Sequence, residues 1–223
     1  MQQKKIAVIG LGRFGTAISR KLVGLGADVM GIDISEDKVE DLKEILTYTV
    51  CMDSTDPKAL MSQNIPDMDA VVVAIGASFQ DLILTTYALQ EVGVERIIAR
   101  AQDQIQKRIL EKMGVTEIMS IEEEVSNGVA QQLINPSVLM AVQLPDEYEI
   151  IEISAPSSLW DTKLKDIGLR EKYKLNLVTV LRKSEEIHHI LGVPYPETKI
   201  EKGDLIIIFG KMGDIRKFMD INK

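Results

Sequence analysis

From Lys5 onward, short β-branched runs alternate with amphipathic stretches along the first part of the chain. The runs are IAVIG, ADVMGID and residues 49–52, 70–75, 96–100 and 117–121, while residues 16–25, 37–46, 81–92 and 104–113 carry helical periodicity. Apolar runs separated by helix-length segments predict βαβ units in a parallel sheet, and six such strands complete a doubly wound sheet. Residues 122–134 add one more helix, ended by Asn135-Pro136 because the residue before a proline is pushed out of the helical region. A domain boundary is placed there, between residues 1–135 and 136–223.

Beyond that boundary the texture changes to alternating strand-like runs, EIIEISA, NLVTVLR and DLIIIFG, with a short helix at 162–167 and an amphipathic stretch at 212–221. The predicted fold class is α/β, a Rossmann-like doubly wound parallel sheet with a second, smaller α+β domain.

Composition narrows the function. The chain has 223 residues, 45% of them apolar, and a net charge of −8. Nucleic-acid binding is not expected, since phosphate contacts need a basic face to release counterions. The single cysteine, Cys51, allows no internal disulfide and reads as a small core residue rather than a nucleophile. The opening MQQKKIAVIG has too short an apolar run for a signal peptide, and the longest apolar stretch, AVVVAI at 70–75, falls far short of the roughly 20 residues of a membrane helix. The expected compartment is the cytosol, with any membrane contact made through a partner.

Gly10-Leu11-Gly12-Arg13-Phe14-Gly15 is G-x-G-x-x-G after a predicted strand and opening a helix. Gly10 permits a tight turn, Gly12 lets backbone approach a phosphate, and Gly15 lets helix and strand pack closely, so the helix N-terminus points at a diphosphate. Asp33 ends the second strand near the offset at which an acid accepts hydrogen bonds from an adenosine ribose; a 2′-phosphate is expected to be repelled. Arg13 can reach a further phosphate bidentately, or be a solvated surface arginine. Asp53 and Ser54 either line the adenine or cap the helix that Pro57 begins. Gly76 ends the fourth strand, where small residues admit the ligand's backbone approach, and Arg100 ends the fifth, aimed at the same crevice. Phe14, Ile34, Ala74 and Ile75 flank these positions and are counted to the site.

Catalytic groups are not evident. His188 and His189 are adjacent in a hairpin and point to opposite faces. Tyr195 and Lys199 have the spacing of short-chain reductases, but Pro194 and Pro196 preclude the helix that spacing needs. No cysteine or histidine cluster suits zinc.

The chain resembles the RCK (regulator of potassium conductance) family, specifically the Trk/Ktr-type potassium uptake regulatory subunits. The residues that carry the resemblance are KIAVIGLGRFG, VMGIDISEDKV, AVVVAIGASFQDLILTT, IIARAQD and ILEKMGVTEIM, with LREKYKLNLVTVLR and GDLIIIFG late in the chain. It implies a nucleotide-sensing gating subunit, not an enzyme, switched by ATP against ADP, with NAD(H) as a further ligand. In such proteins the loop arginine, here Arg13, engages the terminal phosphate of ATP; the acid after the second strand, Asp33, holds the ribose; and a basic residue matching Arg100 assists with phosphates. An acid opening the linking helix goes with a divalent cation, Mg²⁺ or Ca²⁺: Glu122 by distance from the preceding strand, with Glu123 the neighbouring alternative. ARAQD stands where relatives often have lysine and asparagine. The resemblance further implies dimers through the linking helix, rings that are commonly octameric, docking on a membrane-embedded potassium pore subunit at the inner face of the cell membrane, and cyclic di-AMP as an effector of the second domain. The glycine loop and Asp33 alone would also fit an NAD-dependent oxidoreductase, and a redox-sensing transcription factor would need a DNA-reading module that the sequence does not display.

Overall fold

The computed structural model describes residues 3–184 and 187–221. The chain divides into two compact units, Met1–Glu124 and Val125–Lys223. The division falls inside the linking helix, which the sequence-based boundary assigns whole to the first domain.

In the first unit the elements alternate: β1 (Lys5–Ile9), α1 (Arg13–Gly24), β2 (Asp28–Asp33), α2 (Glu36–Glu40), β3 (Tyr48–Cys51), α3 (Pro57–Ser62), β4 (Ala70–Val73), α4 (Phe79–Glu91), β5 (Ile97–Arg100), α5 (Gln104–Lys112), β6 (Glu117–Met119) and the start of α6 (Ile121–Ile134). The sheet is parallel, in the order β3-β2-β1-β4-β5-β6. All four residues of β4, AVVV, are buried, as a parallel strand covered on both faces requires. Ala7 and Ile9 point into a core with Leu60, Leu82, Leu89 and Leu110 from the segments between β3 and β6, while Val8 points the other way, among Leu11, Val29, Leu42 and Leu46. Chain direction along the sheet reverses between β1 and β4, which opens a crevice beyond their carboxyl ends.

Two expectations change here. The helix expected at 37–46 stops at Glu40 and continues as turns, yet Leu42 and Leu46 still reach the core. Cys51 is exposed, its thiol 3.4 Å from the Ile34 carbonyl, and is not a core residue, because β3 is an edge strand.

The second unit holds the rest of α6, then β7 (Val138–Gln143), β8 (Tyr148–Ser154), α7 (Leu164–Ile167), α8 (Leu169–Tyr173), β9 (Asn176–Ser184), β10 (Ile187–Ile190), β11 (Leu205–Lys211) and α9 (Met212–Ile221). Its sheet is antiparallel, in the order β10-β9-β11-β8-β7. Ile151, Ile153, Ile206, Ile208 and Val180 meet Ile215 and Phe218 of α9 in its core. The strand β7 goes unanticipated in the sequence: its residues VLMAVQ, at the sheet edge, are mostly exposed and show no clean alternation.

Candidate functional site

At the carboxyl ends of the parallel strands lies a cavity of about 840 Å³, the size of a site for a nucleotide-sized ligand. The glycine loop forms one wall. Gly10 has φ +94°, a left-handed conformation that glycine adopts without strain, and a Cβ there would stand 3.0 Å from the Ile75 nitrogen. A Cβ on Gly15 would lie 1.9 Å from the Gly10 carbonyl oxygen, so only glycine lets α1 start this close to the turn. Gly12 has open space where a side chain would project. It is also the N-cap of α1, and no side chain caps this helix end. The first-turn N–H groups therefore have no side-chain acceptor, the arrangement that favours an anion.

Of the residues singled out for the nucleotide and its cation, all but Gly15 and Glu123 line this cavity: Gly10, Gly12, Arg13, Phe14, Asp33, Ile34, Asp53, Ser54, Ala74, Ile75, Gly76, Arg100 and Glu122. Gly15 is buried behind the loop and acts on its shape. Arg13 is exposed and has no hydrogen bond or ion pair among the described residues, so its guanidinium is free to meet an anion.

Asp33 is only 6% exposed and is held at both oxygens. Oδ2 accepts from the Leu11 N–H at 2.7 Å and Oδ1 from the Ser35 N–H at 2.9 Å. The acid thus fastens the glycine loop to β2 as well as facing the cavity. Lys38 Nζ lies 3.1 Å from Oδ2, an ion pair that sequence reasoning missed. The short helix α2 folds Lys38 back over Asp33; a five-residue spacing alone gives no such signal. Its ammonium offsets part of the negative charge from which repulsion of a 2′-phosphate is expected.

Neither Asp53 nor Ser54 caps α3. The cap is Asp56, whose carboxylate accepts from the Lys58 N–H at 2.9 Å. Asp53 instead turns the loop by accepting from the Thr55 hydroxyl at 2.7 Å and the Thr55 N–H at 2.9 Å, and these bonds, the hydroxyl's foremost, hold its carboxyl below the usual range. Ser54 is buried against the Thr85 hydroxyl at 2.8 Å.

Arg100 lies 5.7 Å from the centre of the Phe14 ring and is ion-paired with Glu122. Its Nη1 would be 3.0 Å from a Cβ on Gly76, so glycine there makes room for the guanidinium. The Glu122 carboxyl is held below its ordinary value by the backbone N–H at the helix start and then by Arg100. Glu123 Oε2 accepts from Gln104 Nε2 at 2.6 Å. Among the described residues no group of three histidine, cysteine, aspartate or glutamate side chains stands together to hold a metal ion. A lone carboxylate already paired with an arginine does not fit a preformed cation site. Ile9, Lys38, Met52, Thr55, Ala77, Ser78, Gln80, Asp81, Leu84 and Gln102 complete the lining. His188 and His189 lie on β10 of the other sheet, with His188 Nε2 3.3 Å from the Gly203 carbonyl.

Residues 6–121 match the TrkA-N domain family and residues 148–223 the TrkA-C domain family. The Ktr system potassium uptake protein C of Bacillus subtilis (strain 168) is 36% identical over 216 residues, spanning 97% of this chain and 96% of its own length. The Ktr system potassium uptake protein A of the same organism is 34% identical over 98% of this chain and 96% of itself. Among solved structures, the GsuK channel superposes on 97% of this chain with a TM-score of 0.68 at 14% identity, which shows a shared fold; this chain spans 39% of the length of that one. A second GsuK structure, described as bound to NAD, superposes on 96% of this chain with a TM-score of 0.65 at 14% identity. With both domain families matched in order and full-length relatives above 30% identity, the chain belongs to the TrkA-N/TrkA-C family of Ktr- and Trk-type potassium uptake proteins.

Proposed function

We propose that this protein is a nucleotide-sensing regulatory subunit of a potassium uptake system, one that binds adenine nucleotides in the first domain and gates a membrane-embedded pore subunit from its cytoplasmic side. The observation that carries the reading is the cavity itself, where the uncapped start of α1, the unpaired Arg13 and the buried Asp33 converge. Full-length similarity to potassium uptake proteins supplies the biological setting.

The helix N-terminus would take the diphosphate, Asp33 the ribose hydroxyls, and Arg13 the terminal phosphate that ATP has and ADP lacks. A ligand shifts a conformational equilibrium only by its difference in affinity between states, so Arg13 is the residue proposed to tell the two nucleotides apart. NAD(H) presents the same adenosine diphosphate to the loop and competes for the cavity. Arg100, anchored by Glu122 and Phe14, would present its remaining N–H groups to phosphate. A divalent cation would need the nucleotide's own oxygens as ligands, and no step here depends on one. Assembly into dimers and a ring, and cyclic di-AMP at the second domain, extend the same reading from the family resemblance.

Growth at limiting potassium tests the function. Cells stripped of their own uptake systems should grow when they carry the pore subunit that co-purifies with this chain together with the chain, and grow poorly with the pore alone. Equal growth in both would overturn the regulatory role. Nicotinamide turnover by the purified chain would instead favour the oxidoreductase.

A further inference from the structure

The second domain contains a buried carboxylate with nothing to answer it. Glu149 stands at the start of β8, opposite Gln143 of β7 and Gly210 of β11. It follows the inward alternation of Glu149, Ile151 and Ile153 and is 4% exposed. Its Oε1 meets no hydrogen-bond donor, and no cation is within ion-pair distance of it among the described residues. A carboxylate removed from water without replacement donors is costly, and the isosteric glutamine would avoid the charge. A retained orphan of this kind points to a donor supplied from outside.

Two cavities, about 300 and 330 Å³, meet at this residue and share Gln143, Glu149, Met212 and Arg216. Val138, Ile151 and Ile215 give the first an aliphatic wall. Arg216, on α9, is exposed and has no ion pair or hydrogen bond among the described residues, although it lines both cavities with Glu149. The site therefore offers a carboxylate that asks for an ammonium, a guanidinium lining the same cavities that asks for an anion, and an aliphatic wall that asks for hydrocarbon. Oε1 is closed off from solvent, so a donor reaches it only when a neighbouring side chain moves, and Met212 and Arg216 line both cavities with Glu149.

We propose that these cavities form a binding site for a small aliphatic zwitterion, an α-amino acid of about leucine size, with its ammonium on Glu149 and its carboxylate on Arg216. The site lies wholly within the second domain and is separate in composition from the nucleotide cavity.

The test is calorimetry on the full chain saturated with ADP, titrated with leucine, with isopentylamine as the cation-only probe and isovalerate as the anion-only probe. Leucine is expected to bind once per chain, with each half-probe at least ~10-fold weaker. Glu149→Gln and, at the surface, Arg216→Ala should each weaken leucine by ~10-fold or more while ADP affinity and the thermal unfolding of the full chain stay unchanged, the unfolding curve showing that the second domain is folded. No heat from leucine up to about 10 mM, far above the concentrations at which specific sites fill, would overturn the proposal. So would isopentylamine binding as tightly as leucine, or leucine binding that ignores Glu149→Gln. A change in sedimentation with Glu149→Gln and no leucine binding would also overturn it, assigning the carboxylate to contact with a second copy of the chain.

Discussion

Asp33 in the first domain and Glu149 in the second are both buried carboxylates, yet their surroundings differ. Asp33 is met by two backbone N–H groups and the Lys38 ammonium, and through them it locks the loop that shapes the cavity. Glu149 is equally hidden and has an oxygen that meets no donor among the described residues. A parallel sheet buried on both faces leaves polar chemistry to the loops at its strand ends, where backbone donors are plentiful. An antiparallel sheet with one packed face places a polar side chain inside only by giving up an apolar one. The first arrangement is preorganised; the second waits for a ligand. Asp204, just before β11 and also buried, shows that the domain can satisfy such a group: Arg182 and the Glu201 N–H both donate to it.

Preorganisation of the first site is broken most severely at Gly15. Gly15→Ala sets a methyl against a carbonyl oxygen and should destabilise the domain by about 3 kcal/mol, the upper end of overpacking costs, with loss of nucleotide binding. Gly12→Ala, where space is open, should stay within about 0.5 kcal/mol in stability and act only on phosphate affinity. Chemical denaturation of both variants checks this pair; equal destabilisation would contradict the separate roles of the two glycines.

A smaller change is expected from Asp33→Asn, which leaves a buried backbone donor poorly met. It should lower stability by about 1–3 kcal/mol and weaken ADP binding in the same measurement series. Unchanged stability would show that the acid serves the ligand alone. Next in size, Arg13→Ala should cost ATP about tenfold in affinity, near 1.4 kcal/mol, with ADP affinity and melting temperature unaffected, since the side chain is exposed and unpaired. Calorimetry with both nucleotides decides it. Smallest, Lys38→Ala should lower NADP affinity a few-fold relative to NAD, because its ammonium is paired with Asp33, the acid proposed to hold the ribose. An unchanged ratio would leave Asp33 as the sole determinant at the ribose.

The first domain was largely legible in the sequence because each device there is local. The glycine loop is contiguous, β4 is an unbroken apolar run, and Asp33 closes its strand at a fixed offset. Lys38 was not legible, since its contact depends on how tightly α2 folds back after Ser35. The helix expected through residue 46 failed because turns kept Leu42 and Leu46 buried at the same spacing, so the periodic signal survived without the helix. The pair of Arg100 and Glu122 joins residues 22 apart, a distance no motif encodes. In the second domain β7 is an edge strand with a blurred pattern, and Glu149 looks in sequence like any polar residue of an alternating strand.

Arg13 is proposed to read the phosphate separating ATP from ADP and to pass that difference to a pore. Potassium flux through the reconstituted complex of this chain with the pore subunit that co-purifies with it, compared under ATP and under ADP, tests it most directly. The flux is expected to differ between the two nucleotides in the unaltered complex, and the ratio to fall near one for Arg13→Ala, with both nucleotides still bound. A ratio that Arg13→Ala leaves unchanged would contradict it.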